Sequence, residues 1–145
     1  MKVIDATDVI LGRMASAIAK DLLRGDKVTI VNAEETVITG SKEDILAKFK
    51  HRRERKSIVN PARHGPFYPR MPEGIVRRAV RGMLPYRKAR GREAYKRLKV
   101  YRGVPDQFKD SDSWAKIDIP QVSKLKIPKY MRLKRLSQLL GADIR

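Results

Sequence analysis

The sequence predicts an α/β fold with a largely parallel sheet, and three observations support this prediction. Short apolar runs alternate with segments of helical periodicity from the start of the chain. The run VTIVN (28–32) is largely apolar and continuous, which is typical of a strand covered on both faces. Hydrophobic residues make up 41% of the 145 residues, enough for a compact core and too many for a wholly disordered polycation. We therefore expect one domain followed by a tail.

The first third of the chain predicts three strands and two helices. The strands are VIDA (3–6), VTIVN (28–32) and TVIT (36–39). The first helix closes at Arg24, and Gly25 is a natural left-handed cap. Its apolar face recurs every three or four residues at Leu11, Met14, Ala15, Ile18 and Leu22. Ser41 begins the second helix, where Asp44 approximates a capping box. The buried face of this second helix is expected to comprise Ile45, Leu46 and Phe49.

The middle of the chain predicts a long loop, two more helices and a strand. Residues 60–72 contain four prolines, which exclude regular structure there. A third helix is expected to end at Pro85. Its apolar face is expected to comprise Ile75, Val76, Ala79, Val80, Met83 and Leu84. A fourth helix is predicted over 88–98, and a short strand over 99–101.

The last part of the chain predicts a partly extended tail. Three prolines interrupt it, at Pro105, Pro120 and Pro128. A short helix, RLKRLSQLL (132–140), ends it before Gly141. We therefore assign residues 1–104 to a single α/β domain and residues 105–145 to the tail.

Positive charge is concentrated in the middle of the chain. The whole sequence carries 34 Lys and Arg against 16 Asp and Glu, a formal net charge of +18. Residues 1–49 hold seven basic and eight acidic residues, residues 50–102 hold eighteen and three, and residues 103–145 hold nine and five. The stretch RRAVRGMLPYRKARGR (77–92) contains no acidic residue. This uncompensated excess indicates a polyanionic partner, with nucleic acid first and an anionic membrane surface second, so we predict that residues 50–102 form the binding surface.

The candidate binding residues are mostly arginines, and arginine suits RNA. A guanidinium pairs with phosphate through two hydrogen bonds and stacks on bases. A solvated charged face is the alternative, but such faces normally mix both signs of charge. The predicted RNA-binding residues are Arg52, Arg53, Arg55, Lys56, Arg63, His64, Arg70, Arg77, Arg78, Arg81, Arg87, Lys88, Arg90, Arg92 and Lys96. Phe67 and Tyr68 are candidates for stacking on unpaired bases, although anchoring of the loop to the core is the slightly favoured alternative.

The sequence lacks the residue patterns that most catalytic and metal sites require. It has no cysteine, and neither of its two histidines, His51 and His64, has a metal-ligand neighbour at helical spacing. The segment VITGSKED (37–44) offers a generic anion site at a helix N-terminus but lacks the lysine and spacing of a P-loop. Asp5 and Asp8 are more typical of helix capping or a solvated loop than of a metal pair. We expect no enzyme activity, metal, cofactor or small-molecule substrate.

Nothing in the sequence predicts insertion into a membrane. No apolar run approaches the roughly 18 residues that a membrane span needs. The N-terminus MKVIDATD (1–8) carries aspartates where a signal peptide would be apolar. We therefore expect a soluble intracellular protein without a membrane partner.

A series of short motifs resembles one known family. The motifs, in chain order, are GRMAS (12–16), VNAE (31–34), VITG (37–40), RGMLP (81–85), GREAY (91–95) and LKVYRG (98–103). This series resembles the universal family of large-subunit ribosomal protein thirteen over roughly residues 3–105. The segment FYPRMPEGI (67–75) is similar to the archaeal branch of that family. The family motif positions that carry over directly are Arg81, Gly82, Met83, Leu84, Pro85, Gly91 and Arg92.

The resemblance implies both a fold and a function. The fold would be a three-layer α/β/α arrangement around a mainly parallel four-stranded sheet. The protein would be a cytoplasmic structural constituent of the large ribosomal subunit, which binds large-subunit ribosomal RNA, contacts neighbouring ribosomal proteins and supports early assembly. An RNA-processing enzyme and a DNA-binding regulator remain the alternatives, and a peripheral membrane protein comes last because the apolar face of the third helix is needed by the core.

Overall fold

The computed structural model describes residues 1–109, 114, 121–124 and 129–144. In chain order the elements are β1 (Lys2–Asp5), α1 (Leu11–Arg24), β2 (Val28–Val31), β3 (Val37–Thr39), α2 (Lys42–Glu54), α3 (Pro72–Met83), α4 (Ala89–Lys96), β4 (Leu98–Val100), β5 (Tyr130–Arg132) and α5 (Leu133–Leu139). Much of the tail predicted for 105–145 lies outside the described residues.

A parallel sheet in the order β1–β2–β4 lies at the centre of the core. Its register aligns Lys2 with Val28 and Val28 with Leu98. All four residues of β2, the middle strand, are buried, as expected for a strand covered on both faces. The prediction of an α/β fold with a mostly parallel sheet is therefore confirmed.

The four-stranded sheet that the resemblance implied is not confirmed. The parallel sheet in the described part of the chain has three strands, and β3 pairs with β5 in a separate antiparallel sheet. In that pairing Val37 lies opposite Arg132. A hydrogen bond of 2.9 Å from the Val37 amide to the Val9 carbonyl, with a parallel bridge between Ile10 and Val37, connects β3 to the chain between β1 and α1. The C-terminal strand β5 therefore pairs with β3, whose partner the sequence pattern did not specify.

The end of α1 and the start of α2 lie where local signals predicted them. Gly25 follows α1 at φ 108°, and its amide donates to the carbonyls of Asp21 and Leu22 in the left-handed cap. The Ser41 hydroxyl accepts from the Asp44 amide at 3.2 Å and so caps the start of α2. The buried residues of α1 are Met14, Ala15, Ile18, Ala19 and Leu22. Each large apolar side chain among them contributes about 1.5–3 kcal/mol by leaving water.

Helix α3 buries a narrower face than its sequence predicted. Its side chains Ile75, Val76 and Val80 are buried against the core. Met83, which we expected on the same face, is 44% exposed, so that expectation was wrong. Met83 is the last residue of the helix, and burial resumes with Leu84 in the turn that follows. The regular spacing of apolar residues therefore continues to the end of α3, whereas the last turn of the helix is not packed against the core.

The C-terminal helix belongs to the same hydrophobic core as the parallel sheet. Leu133 and Leu136 are fully buried in the cluster that also contains the side chains of β2. Arg132, just before the helix, pairs with Asp8 at 2.8 Å and with Glu35 at 3.1 Å. These contacts, the hydrogen bond to Asp8 first, raise the pKa of the Arg132 guanidinium above its ordinary value. The end of the chain is thereby tied to the loop before α1.

Candidate nucleic-acid interface

The first basic group lies at the end of α2 and in the loop that follows. The last turn of α2 carries His51, Arg52 and Arg53, where positive charge is favoured by the helix dipole. The Arg53 guanidinium donates to the Leu140 carbonyl, at the end of α5. Arg52 lies over the ring of Phe49, with its guanidinium carbon 5.7 Å from the ring centroid. Both arginines are thus partly held by the scaffold instead of extending freely into solvent.

The loop between α2 and α3 folds back on itself. Gly65 has φ 122°, and a Cβ built there would lie 2.9 Å from the Ser57 amide nitrogen, so the two halves of the loop touch. The amides of Arg63 and His64 both donate to the carbonyl of Asn60, which adopts φ 51°. The loop therefore presents Arg63 and His64 on an exposed turn.

The two aromatic residues of this loop have different environments. Phe67 is 63% exposed, whereas Tyr68 is half-buried. The Arg78 guanidinium lies over the Tyr68 ring at 3.9 Å and donates to the Phe67 carbonyl at 2.7 Å. Arg78 therefore attaches the loop to α3 through one cation–π contact and one hydrogen bond. Phe67 leaves most of its side chain in solvent.

Two further arginines of α3 pack on tyrosine rings. Arg77 lies 5.4 Å from the ring centroid of Tyr95, and Arg81 lies 5.1 Å from that of Tyr86. The two tyrosines contact each other edge to face, with their centroids 5.4 Å apart. An arginine held against a ring loses less side-chain entropy when it binds a phosphate, because its rotamer is already restricted.

The bend between α3 and α4 depends on close backbone packing at Gly91. A Cβ built on Gly91 would lie 2.1 Å from the Pro85 carbonyl oxygen and 2.9 Å from the Tyr86 amide nitrogen. No side chain fits at that distance, so only glycine lets α4 approach the turn this closely. The amide of Lys88 donates to the Pro85 carbonyl at 2.9 Å, which closes the turn. The bend exposes the basic side chains of Arg87, Lys88, Arg90 and Arg92.

Some of the basic residues also stabilise the end of α1. Arg97, which we did not predict as a structural residue, donates to the Leu22 carbonyl at 2.8 Å. Arg90 reaches the neighbouring Leu23 carbonyl at 3.4 Å. The Leu22 carbonyl thus accepts from Arg97 in addition to the Gly25 amide of the cap. Both guanidiniums also place positive charge at the C-terminal end of α1, where the helix dipole favours it. The sequence could not have revealed this role of Arg97, because Leu22 and Arg97 are far apart in the chain and helix-end residues are predicted from near neighbours.

The predicted RNA-binding residues are solvent-accessible but form several groups. Arg52, Arg55, Tyr68 and Arg78 line one cavity of about 400 Å³ between α2, α3 and the loop. Arg77, Arg78 and Arg81 border a smaller one of about 220 Å³ beside Tyr95. The remaining predicted basic residues are exposed and outside these two cavities: Arg53, Lys56, Arg63, His64, Arg70, Arg87, Lys88, Arg90, Arg92 and Lys96. Within the described residues, none of the predicted basic side chains forms a salt bridge with a carboxylate.

The aspartates near the N-terminus have structural partners. Asp5 accepts hydrogen bonds from the Thr7 hydroxyl at 2.7 Å and from the Asn32 amide at 2.9 Å. Asp8 pairs with Arg132, and neither carboxylate caps α1. Among the residues that the structure describes, no group of three or more potential ligands could hold a metal ion. These carboxylates therefore act in the scaffold.

An α/β body with a basic, arginine-rich surface is the arrangement expected of a nucleic-acid-binding protein. Comparison with known proteins identifies the particular family. The family described as Ribosomal protein L13 matches residues 1–107, and the chain belongs to this family. Members of a large-subunit ribosomal family are structural proteins, so the chain is not an enzyme, and its place is in the ribosome of the cytoplasm.

Curated archaeal relatives are similar over nearly the whole chain. The large ribosomal subunit protein uL13 of Methanosphaera stadtmanae is 49% identical over 140 residues, covering 97% of this chain and 96% of the relative. That of Methanocaldococcus jannaschii is 49% identical over 142 residues, covering 98% of each. That of Methanococcus maripaludis is 47% identical over 142 residues, again covering 98% of each. The similarity confirms the family and the archaeal branch that the motifs indicated. In the described part of the chain, no helix is long and apolar enough to cross a membrane.

Proposed function

We propose that the arginine-rich surface of residues 50–102 binds the ribosomal RNA of the large subunit and supports early subunit assembly. One observation carries this proposal. Six of the fifteen predicted basic side chains pack on aromatic rings or donate to backbone carbonyls, namely Arg52, Arg53, Arg77, Arg78, Arg81 and Arg90. In the described residues none of the fifteen has a carboxylate partner. Surface arginines that are held in place by other contacts but have no carboxylate partner are more typical of a surface that binds a polyanion than of a solvated charged surface.

The proposed mechanism is electrostatic, with the α/β body as a rigid support. Each phosphate that an arginine neutralises releases condensed counterions, which adds about 0.7–0.9 to the slope of log affinity against log salt. Specificity comes from RNA shape and from stacking in unpaired regions, because the major groove of A-form RNA is too narrow for side chains to read. The bend at Arg87–Arg92 and the α2–α3 region would contact separate RNA segments and hold them together. Neighbouring large-subunit proteins are the second class of partner that we propose.

A charge-matched pair of variants tests the proposal. The first variant replaces Arg87, Lys88 and Arg92, which are exposed at the bend, with glutamine. The control replaces the exposed Lys20, Lys27 and Lys42 with glutamine, which removes the same charge from the electroneutral part of the chain. Binding to large-subunit ribosomal RNA is measured across a salt series with excess transfer RNA, and again with excess duplex DNA.

The wild-type chain should stay selective for ribosomal RNA above about 0.3 M salt, where non-specific binding weakens steeply. The bend variant should lose about 2–3 from the salt slope, one phosphate contact for each charge removed. The control should lose less than about 1 by the same relation. Equal losses in the two variants would show that only total charge matters. Equal competition by transfer RNA or duplex DNA would remove the proposed specificity.

A further inference from the structure

The cavity between α2, α3 and the connecting loop combines an apolar floor with a basic rim. Its volume is about 400 Å³, at the lower end of the roughly 300–1,000 Å³ typical of small-ligand pockets. Phe49 and Ile75 contribute to the floor, and the guanidiniums of Arg52, Arg55 and Arg78 border it. Among the residues that the structure describes, no carboxylate lines the cavity. Such a lining suits a flat or apolar group that also carries hydrogen-bond acceptors.

Close packing of the loop on α3 forms one wall of this cavity. A Cβ built on Gly74 would lie 2.6 Å from the Cβ of Pro69, so glycine at this position lets Pro69 rest directly against the first turn of α3. Pro69 and the adjacent Tyr68 both line the cavity. The Arg78 contact with the Tyr68 ring at 3.9 Å then holds the wall in place. The cavity thus results from specific contacts between the loop and the helix.

The side chains at the rim offer donors in a restricted geometry. Arg78 already gives one hydrogen bond to the Phe67 carbonyl at 2.7 Å, which orients its planar group beside Tyr68. Guanidiniums donate hydrogen bonds and never accept them. A nucleobase placed against this rim must therefore present acceptors. Guanine offers two adjacent acceptors, O6 and N7, which match the fork of an arginine, whereas adenine carries an exocyclic amino donor beside its N7 and would set that donor against the guanidinium.

We propose that this cavity holds a single unpaired guanosine of the bound RNA. The base lies against the Tyr68–Arg78 wall and the Phe49–Ile75 floor, and its O6 and N7 edge accepts from a rim guanidinium. Its phosphate lies near the arginines that remain. The inference rests on the proposed RNA-binding function and adds one base-specific position to a surface that otherwise reads phosphates and shape.

Methyl NMR of the full chain with mononucleotides tests the cavity without ribosomal RNA. The probes are guanosine 5′-monophosphate (GMP), adenosine 5′-monophosphate (AMP) and ribose 5-phosphate. GMP should shift the methyl signals of Leu11, Ile75 and Ala79, which line the cavity, and leave those of Leu136 in place. GMP should bind at least about fivefold tighter than AMP, the lower limit of what a bidentate arginine–guanine pair provides. Equal shifts with ribose 5-phosphate, equal affinity for AMP, or no shift with GMP would each overturn the proposal.

Arginine-to-lysine variants test the hydrogen-bonding fork at constant charge. Arg78→Lys and, independently, Arg52→Lys should reduce the preference for GMP over AMP, because a lysine ammonium cannot form the planar pair. Arg24→Lys is the matched control, since Arg24 is exposed on α1 outside the cavity. An unchanged preference in both cavity variants would count against guanine recognition. The Arg52 variant keeps the test valid if Arg78→Lys loosens the loop.

Failure of this inference can be separated from failure of the proposed function. If GMP does not enter the cavity but the bend variant still loses salt slope on ribosomal RNA, the RNA-binding surface stands and the guanosine site is wrong. If the wild-type chain binds ribosomal RNA no better than transfer RNA, the proposed function fails, whatever the mononucleotides show.

Discussion

Replacement of Gly91 by alanine should destabilise the protein although Gly91 lies inside a helix. At an unconstrained helical position, alanine is more favourable than glycine by roughly 0.5–1 kcal/mol. At Gly91, however, the new Cβ would lie 2.1 Å from the Pro85 carbonyl oxygen. Carbon and oxygen pack at about 3.5 Å, so α4 and the turn would have to separate by more than about 1 Å. The carbonyl oxygen belongs to the backbone, and the Cβ is bonded directly to it, so neither atom can rotate away as the end of a flexible side chain would.

The expected net effect follows from these two opposing terms. Overpacking of this kind costs about 1–3 kcal/mol, and the contact with rigid backbone places Gly91→Ala at the upper end. Subtracting the helix-propensity gain leaves a loss of about 2 kcal/mol in the free energy of unfolding. For a chain of 145 residues, the entropy of unfolding is such that each 1 kcal/mol lost from the free energy of unfolding lowers Tm by about 3 °C. The Tm of Gly91→Ala should therefore fall by about 6 °C.

Gly82→Ala provides the matched control, and urea unfolding with thermal scans provides the assay. Gly82 is also helical, in α3, and a Cβ built there meets nothing within 4 Å. Its replacement should raise Tm by about 2–3 °C through helix propensity alone. If Gly91→Ala also raised Tm, the close approach of α4 to the Pro85 turn would not exist in solution, and the geometry argued for the basic bend would be wrong.

Three further predictions concern the core, a helix end and a surface pair. Leu136→Ala should lower the free energy of unfolding by about 2–5 kcal/mol in urea titrations, because the side chain is fully buried. Arg97→Met should lower it by about 1–2 kcal/mol, because the Leu22 carbonyl loses a charged donor at 2.8 Å. The Lys2 ammonium, 2.7 Å from Asp26, lowers the pKa of that carboxyl, so the pair stabilises the fold above the ordinary aspartate pKa of about 3.9 and loses this effect as the pH falls further. The Tm difference between wild type and Asp26→Asn, measured by thermal scans at several pH values, should therefore be present at neutral pH and vanish in acid.

Each of these predictions has a clear contrary outcome. A Leu136→Ala variant as stable as the exposed-site variant Gln138→Ala would mean that α5 does not share the core, and that the folded domain ends before it. An Arg97→Met variant with the same free energy of unfolding as wild type would mean that water hydrogen-bonds the Leu22 carbonyl as well as Arg97 does. A Tm difference for Asp26→Asn that persists at low pH would assign the effect to packing instead of the ion pair.

The local features of this protein follow from short sequence signals. The left-handed cap at Gly25, the hydroxyl cap at Ser41 and the end of α3 before Pro85 were all predicted within a few residues. Each depends on the backbone preference or hydrogen bonding of one residue and its near neighbours, which is why a single sequence suffices. The sequence alone also showed the concentration of charge in residues 50–102 and the family motifs, because neither requires knowledge of which residues are in contact.

Only the tertiary structure decided which distant segments meet. The sequence predicted β3 as a strand, but its partner is β5, which lies some ninety residues later in the chain. The pattern of apolar residues in a strand specifies which face is buried, but it does not specify which strand pairs with it. Contacts between segments distant in the chain decide the partner. The same holds for Arg97 at the end of α1 and for the cavity where the loop meets α3. The sequence by itself therefore determined the elements, the charge and the family, whereas packing decided which arginines support the scaffold and which remain available to a ligand.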